Sequence, residues 1–214
     1  MSADRQRPEK GQRDAGRTIA VAVTGASGAL YAVRTMAALL ELGCHLEIVA
    51  SDYGRRLLRD ELGDAAAIDR IGDYLKSRYG DAVTHGSFVL LSNRDLGATI
   101  ASGSHNCDGM VIVPCSMKTM AGVANGLSRN LVERAADVML KERRPLVIVP
   151  RETPMSLPQL RNMLLCGEAG AIILPAMPAF YQMPKSLDDL ADFIAGKILS
   201  ALGFSHELYP AWRG

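Results

Sequence analysis

The chain has 214 residues and is 48% hydrophobic, enough to bury one substantial core and still leave terminal extensions. Its 24 lysines and arginines stand against 23 acidic residues, and a net charge of +1 lacks the basic footprint of a nucleic-acid or anionic-membrane binder, which favours small-molecule chemistry. The cysteines Cys44, Cys107, Cys115 and Cys166 form no C-x-x-C pair and no histidine stands at zinc-ligand spacing, so neither a disulfide framework nor a metal site is predicted.

Residues 1–16 mix Arg5, Arg7, Lys10 and Arg13 with Asp4, Glu9 and Asp14 and carry almost no large apolar side chain, the composition of a disordered, solvated tail. A single domain is expected over 17–214. No apolar run reaches the roughly 20 residues of a membrane span and no secretory core is visible, so a cytoplasmic chain with reduced thiols is expected. From Thr18 onward, short β-branched runs alternate with longer amphipathic segments, the order of βαβ units that build a doubly wound, mostly parallel sheet. The fold class is therefore α/β, Rossmann-like or flavodoxin-like. Strands are predicted at 18–23, 46–50, 109–113, 146–149 and 171–174, and helices at 29–42, 53–62, 117–124, 130–141, 157–166 and 187–202. The unbroken apolar run Met110-Val111-Ile112-Val113 suits a central strand buried on both faces. Residues 63–97 yield no firm element. Trp212, the only tryptophan, reads as a packing or subunit-contact residue.

Three features carry chemistry. Thr24-Gly25-Ala26-Ser27-Gly28-Ala29 joins the first strand to the first helix, at the sheet edge where open α/β folds bind ligands and where helix N–H groups meet an anion. It is neither G-x-G-x-x-G nor a P-loop nor a hydrolase elbow, and a ligand-free glycine turn explains it equally well. Ser116 and Thr119 occupy the same position after the buried strand, either as ligand contacts or with Ser116 as a simple N-cap. Ser51 follows the second strand, so three hydroxyl-bearing turns converge on one edge. Arg134 and Lys141 are seven apart and share a helix face, which either receives a phosphate or is an ordinary surface neutralised by Glu133, Asp137 and Glu142. Arg151 and Glu152 directly follow a strand and so land at the ligand edge.

The ordered stretches TGASGALY (24–31), ASGS (101–104), VPCSMKT (113–119), NLVERAAD (130–137), LKERRPLVIVPRE (140–152) and PAFY (178–181) resemble the motif series of the UbiX-like flavin prenyltransferases. The resemblance runs from Thr18 to about Trp212. It implies transfer of a dimethylallyl group from a dimethylallyl phosphate to N5 and C6 of reduced FMN, with the product passed to a UbiD-type decarboxylase. It also implies a large homo-oligomer, a dodecamer. By position, Gly25, Ala26, Ser27, Ser51, Ser116, Thr119 and Arg151 resemble FMN contacts. Ala101, Ser102 and Gly103 resemble the loop between flavin and prenyl phosphate. Arg134, Lys141 and Tyr181 resemble the phosphate clamp, and Glu61 and Glu152 the acidic residues near the reacting flavin. Lys197 stands where many members carry an arginine, keeping the charge but losing the bidentate fork. Asp188-Asp189 lacks the continuation of an aspartate-rich magnesium motif, and the expected reaction is metal-independent.

Two other readings share the fold or the flavin. An FMN-dependent cysteine decarboxylase of the phosphopantothenoylcysteine type is expected to carry P-x-M-N-x-x-M-W, whereas Pro150-Arg151-Glu152-Thr153 stands at the comparable strand end. A non-catalytic flavin-binding subunit of a decarboxylase complex has no reason to keep Arg134, Lys141, Glu152 and Tyr181 together.

Overall fold

The computed structural model describes residues 15–210, so the expected tail up to residue 14 and Trp212 lie outside the described residues. Gly16 already belongs to the fold, because its N–H donates to the Gly43 carbonyl at 3.0 Å. Six parallel strands form one sheet: β1 (Thr18–Val23), β2 (His45–Ala50), β3 (Ser87–Ser92), β4 (Gly109–Cys115), β5 (Leu146–Pro150) and β6 (Ile172–Ile173), in the order β3-β2-β1-β4-β5-β6. Central β1 and β4 are buried almost end to end, as their unbroken apolar runs require.

The helices are α1 (Ala29–Glu41), α2 (Asp52–Leu62), α3 (Ile71–Tyr79), α4 (Met117–Ala124), α5 (Leu131–Lys141), α6 (Leu157–Glu168) and α7 (Leu187–Ala201). Alternate residues of β1 feed two separate cores. Ile19, Val21 and Val23 pack with α1, α2, α3 and α7, while Ala20 and Ala22 pack with α4, α5 and the buried Cys166 of α6. The sheet thus stands between two helical layers, the doubly wound arrangement expected from the element order.

Two elements, α3 and β3, fall in the stretch that yielded no periodicity. Strand β3 is an edge strand whose Phe88, Val89 and Leu90 remain exposed on both faces, so it shows no inside-outside alternation. Only pairing with β2 along Ser87 to Ser92 makes it a strand.

Because all strands are parallel, their carboxyl ends share one edge. There Ser51, Ser116 and Asn130 cap α2, α4 and α5, their side chains accepting from the N–H groups of Gly54, Thr119 and Glu133. Gly54 is required for close approach: a Cβ there would lie 2.2 Å from the Val23 carbonyl oxygen, so α2 begins directly on the end of β1.

Candidate active site

Thr24 joins the first two turns of the carboxyl edge. Fully buried at the end of β1, its hydroxyl donates to the Pro114 carbonyl at 2.9 Å and accepts from the Ser116 N–H at 2.8 Å. The Gly25–Gly28 turn and the start of α4 are therefore one rigid unit.

On one side of that unit is a cavity of about 390 Å³ lined by Gly25, Ser51, Ser116 and Thr119, with Asp52, Tyr53, Asn93, Lys118, Asn130 and Val132. The N-termini of α2 and α4 both open into it, and with Lys118 they form a setting suited to a phosphate. Ser116 acts as a cap, as its simpler reading required: its Oγ accepts from the Thr119 N–H at 3.3 Å and donates to Thr119 Oγ1 at 3.0 Å. Both hydroxyls still face the cavity, so capping and ligand contact are compatible.

On the other side is a cavity of about 310 Å³ whose wall combines Leu30, Ala176, Leu187 and Leu190 with Ser27, Tyr31, Glu61 and Arg151. Arg151 Nε donates to the Ser27 carbonyl at 3.1 Å. The Glu61 carboxylate reaches from the end of α2 to the start of α1, accepting from Gly28 N–H at 3.0 Å and Ala29 N–H at 2.8 Å. Burial pushes the Tyr31 hydroxyl pKa above its ordinary value, with Arg151 opposing and Glu61 adding to the rise, so Tyr31 stays a neutral donor. An apolar wall with a carboxylate, a guanidinium and a phenol suits a flat ring with a polar edge.

The family model described as Flavoprotein matches residues 7–199. A flavin prenyltransferase UbiX of Halalkalibacterium halodurans is 46% identical over 196 residues, covering 90% of this chain and 91% of its own. The chain belongs to the flavin prenyltransferase family. The crystal structure of AnUbiX in complex with FMN and dimethylallyl pyrophosphate is 37% identical with a TM-score of 0.82, over 93% of this chain and 98% of that one. A dodecameric FMN-dependent UbiX-like decarboxylase from Escherichia coli O157:H7 is also 37% identical, with a TM-score of 0.80 over 92% and 100% of the two chains.

In this flavin prenyltransferase, Arg134 and Lys141 line neither cavity. They lie along α5 against the 101–104 loop: Arg134 Nε donates to the Ala101 carbonyl at 3.2 Å, and a side chain at Gly103 would come within 2.6 Å of Lys141 Nζ. Ser102 Oγ meets Ser104 Oγ at 2.8 Å. Arg134 also pairs with Asp137 at 2.8 Å, and Lys141 with Glu142, whose carboxyl it holds below its ordinary pKa. Tyr181 and Lys197 sit together elsewhere, both on the ring of Phe193 in α7, Tyr181 edge-on at 6.3 Å and the Lys197 ammonium at 5.4 Å. Since α5 and α7 cover opposite faces of the sheet, one chain does not bring Arg134 and Lys141 together with Tyr181 and Lys197. Glu152 lies beside Arg151 and accepts from the Thr153 N–H at 3.0 Å.

Of the cavity residues the sequence reading did not single out, Lys118 and Asn130 lie inside its own motif stretches, and their side-chain types were the available signal. Asn93 follows β3, the strand without a periodic signature, and offered none. Among the described residues, no cluster of three or more His, Cys, Asp or Glu is arranged to hold a metal ion. No helix among them is long and apolar enough to cross a membrane.

Proposed function

We propose that this chain, as one domain over 17–214, transfers a dimethylallyl group from a dimethylallyl phosphate to N5 and C6 of reduced FMN. The observation that carries the reading is the pair of cavities flanking the Gly25–Gly28 turn, one suited to a phosphate and one to a ring with a polar edge. Reduced FMN supplies the electron-rich N5 and C6 that accept the allyl group. Ser51, Ser116, Thr119, Gly25 and the N-termini of α2 and α4 hold its phosphate, Ser27 and Arg151 fix the ring, and the buried Ala26 shapes the turn between the two. Glu61 takes the proton that C6 gives up, and Glu152 supports it from the adjoining strand end.

The leaving phosphate needs positive charge and hydrogen-bond donors that grow in importance as the C–O bond breaks, the task of the cations Arg134, Lys141 and Lys197 and of the Tyr181 hydroxyl. The sheet separates these four into two pairs within a chain, so the clamp is completed between copies, Ala101, Ser102 and Gly103 entering with the Arg134 and Lys141 half. The dodecameric state of the Escherichia coli relative supports that reading, with this chain as a homo-oligomer of the same size. The product goes to a UbiD-type decarboxylase. The four cysteines are buried and none is joined in a disulfide among the described residues, which supports a reducing, cytoplasmic setting.

Incubating the pure protein anaerobically with reduced FMN and either dimethylallyl phosphate or its diphosphate, then weighing the flavin by mass spectrometry, tests the reaction. A flavin heavier by one C5 unit is expected with at least one donor. Unchanged flavin with both would overturn the proposal.

A further inference from the structure

Glu47 lies in the middle of β2, only 3% exposed, and lines neither cavity. A carboxylate buried in a sheet core is costly unless its oxygens are satisfied. Both are satisfied from a single loop. Thr99 Oγ1 donates to Oε1 at 2.6 Å, and His105 Nε2 donates to Oε2 at 2.8 Å. The loop between these anchors contains Ala101, Ser102 and Gly103. Its carbonyls are held as well: Ala101 by Arg134 at 3.2 Å, and Gly103 and His105 by the two terminal nitrogens of Arg144 at 2.8 and 2.7 Å.

We propose that Glu47 is a positioning residue for the prenyl donor: its carboxylate closes the Thr99–His105 loop at both ends and so fixes the Ala101 carbonyl that orients Arg134. This rests on the reading of Ala101–Gly103 and Arg134 as donor-binding groups. Two anchors on one rigid strand, together with the Arg144 bonds to the Gly103 and His105 carbonyls, fix both the position and the direction of the loop between them, and loss of either Glu47 anchor loosens it relative to β2. The Arg134 guanidinium, tied through Nε to that loop, inherits the constraint. A donor phosphate then meets a cation already in place, and less ordering is needed on binding.

The test uses the full chain, with FMN affinity read from flavin fluorescence and single-turnover prenyl transfer followed against dimethylallyl phosphate concentration. His105→Leu removes one anchor. The concentration giving half the maximal rate should rise roughly tenfold, the order of one lost hydrogen bond to a charged group, with FMN affinity unchanged. His105→Gln keeps an N–H donor and should return the value to within about threefold of wild type. Glu47→Gln should weaken donor use like His105→Leu, and the double variant should be little worse than Glu47→Gln alone, because both break one unit. If Glu47→Gln does not fold, Thr99→Val, which removes the other anchor at similar volume, makes the same measurement.

Arg134→Ala is the control for the underlying reading. If it weakens donor use while His105→Leu and Thr99→Val leave it within about twofold of wild type, Glu47 is structural only and the proposal is overturned. If Arg134→Ala also has no effect, the donor-site reading itself has failed and the role of Glu47 falls with it.

Discussion

The Ala29 N–H donates to Glu61 Oε2 at 2.8 Å, tying the start of α1 to a side chain 32 positions further along. A carboxylate there is favoured by the helix dipole and by the unsatisfied N–H groups of the first turn. The same carboxylate faces the ring-type cavity, so it is both a cap and the candidate base. Glu61→Gln keeps an acceptor oxygen but cannot take a proton. Stopped-flow absorbance should show prenyl transfer slowed by roughly 10²-fold or more with FMN still bound. A rate within about threefold of wild type would return Glu61 to a capping role alone.

Gly28 adopts a φ of 123°, open to glycine and strained for other residues, and an added Cβ would lie 2.7 Å from the Tyr31 ring. Gly28→Val should therefore displace the turn between the two cavities at a cost of about 1 to 3 kcal/mol, with the sheet intact. The purified variant is expected to be colourless with an unchanged circular dichroism spectrum. Full FMN occupancy would refute the placement of the flavin at this turn.

Arg134→Ala should leave FMN binding intact and slow prenyl transfer by roughly 10²- to 10³-fold, about 2.7 to 4 kcal/mol, by analogy with loss of one preorganised donor. A second measurement checks the division of the clamp between copies. Arg134→Ala and Tyr181→Ala chains, each impaired alone, should recover activity when refolded together, because some sites then receive an intact half from each. Absence of recovery in mixed oligomers would count against a shared site.

Burial pushes the Cys115 thiol far above its ordinary pKa and the Cys166 thiol to about 11. Both should resist a thiol reagent at pH 8 in the folded protein and react at the rate of unfolding. The sign for stability follows from linkage. The folded pKa of Cys166 is raised from 9.0, so its contribution is complete below pH 9 and lost as pH rises towards about 11, where the unfolded chain releases its proton first. Thermal unfolding temperature should fall over that interval, less steeply in Cys166→Ala.

The order of elements, the central strands and the turn at Gly25–Gly28 were legible in the sequence, because apolar runs, capping serines and a glycine turn are local signals. Motif order also pointed to the family, and Ser51, Ser116 and Thr119 do line one cavity. Strand β3 was not legible, since an exposed apolar edge strand becomes a strand only by pairing with β2. Nor was the separation of Arg134 and Lys141 from Tyr181 and Lys197, which depends on which face of the sheet each helix covers. Glu47 makes the point most sharply. In sequence it is one acidic residue in a strand, HLEIVA, with nothing to distinguish it from a solvated position. Only packing of the Thr99–His105 loop over that strand buries the carboxylate and supplies both of its donors, because the burial and the pairing of a charge are set by residues distant in the chain.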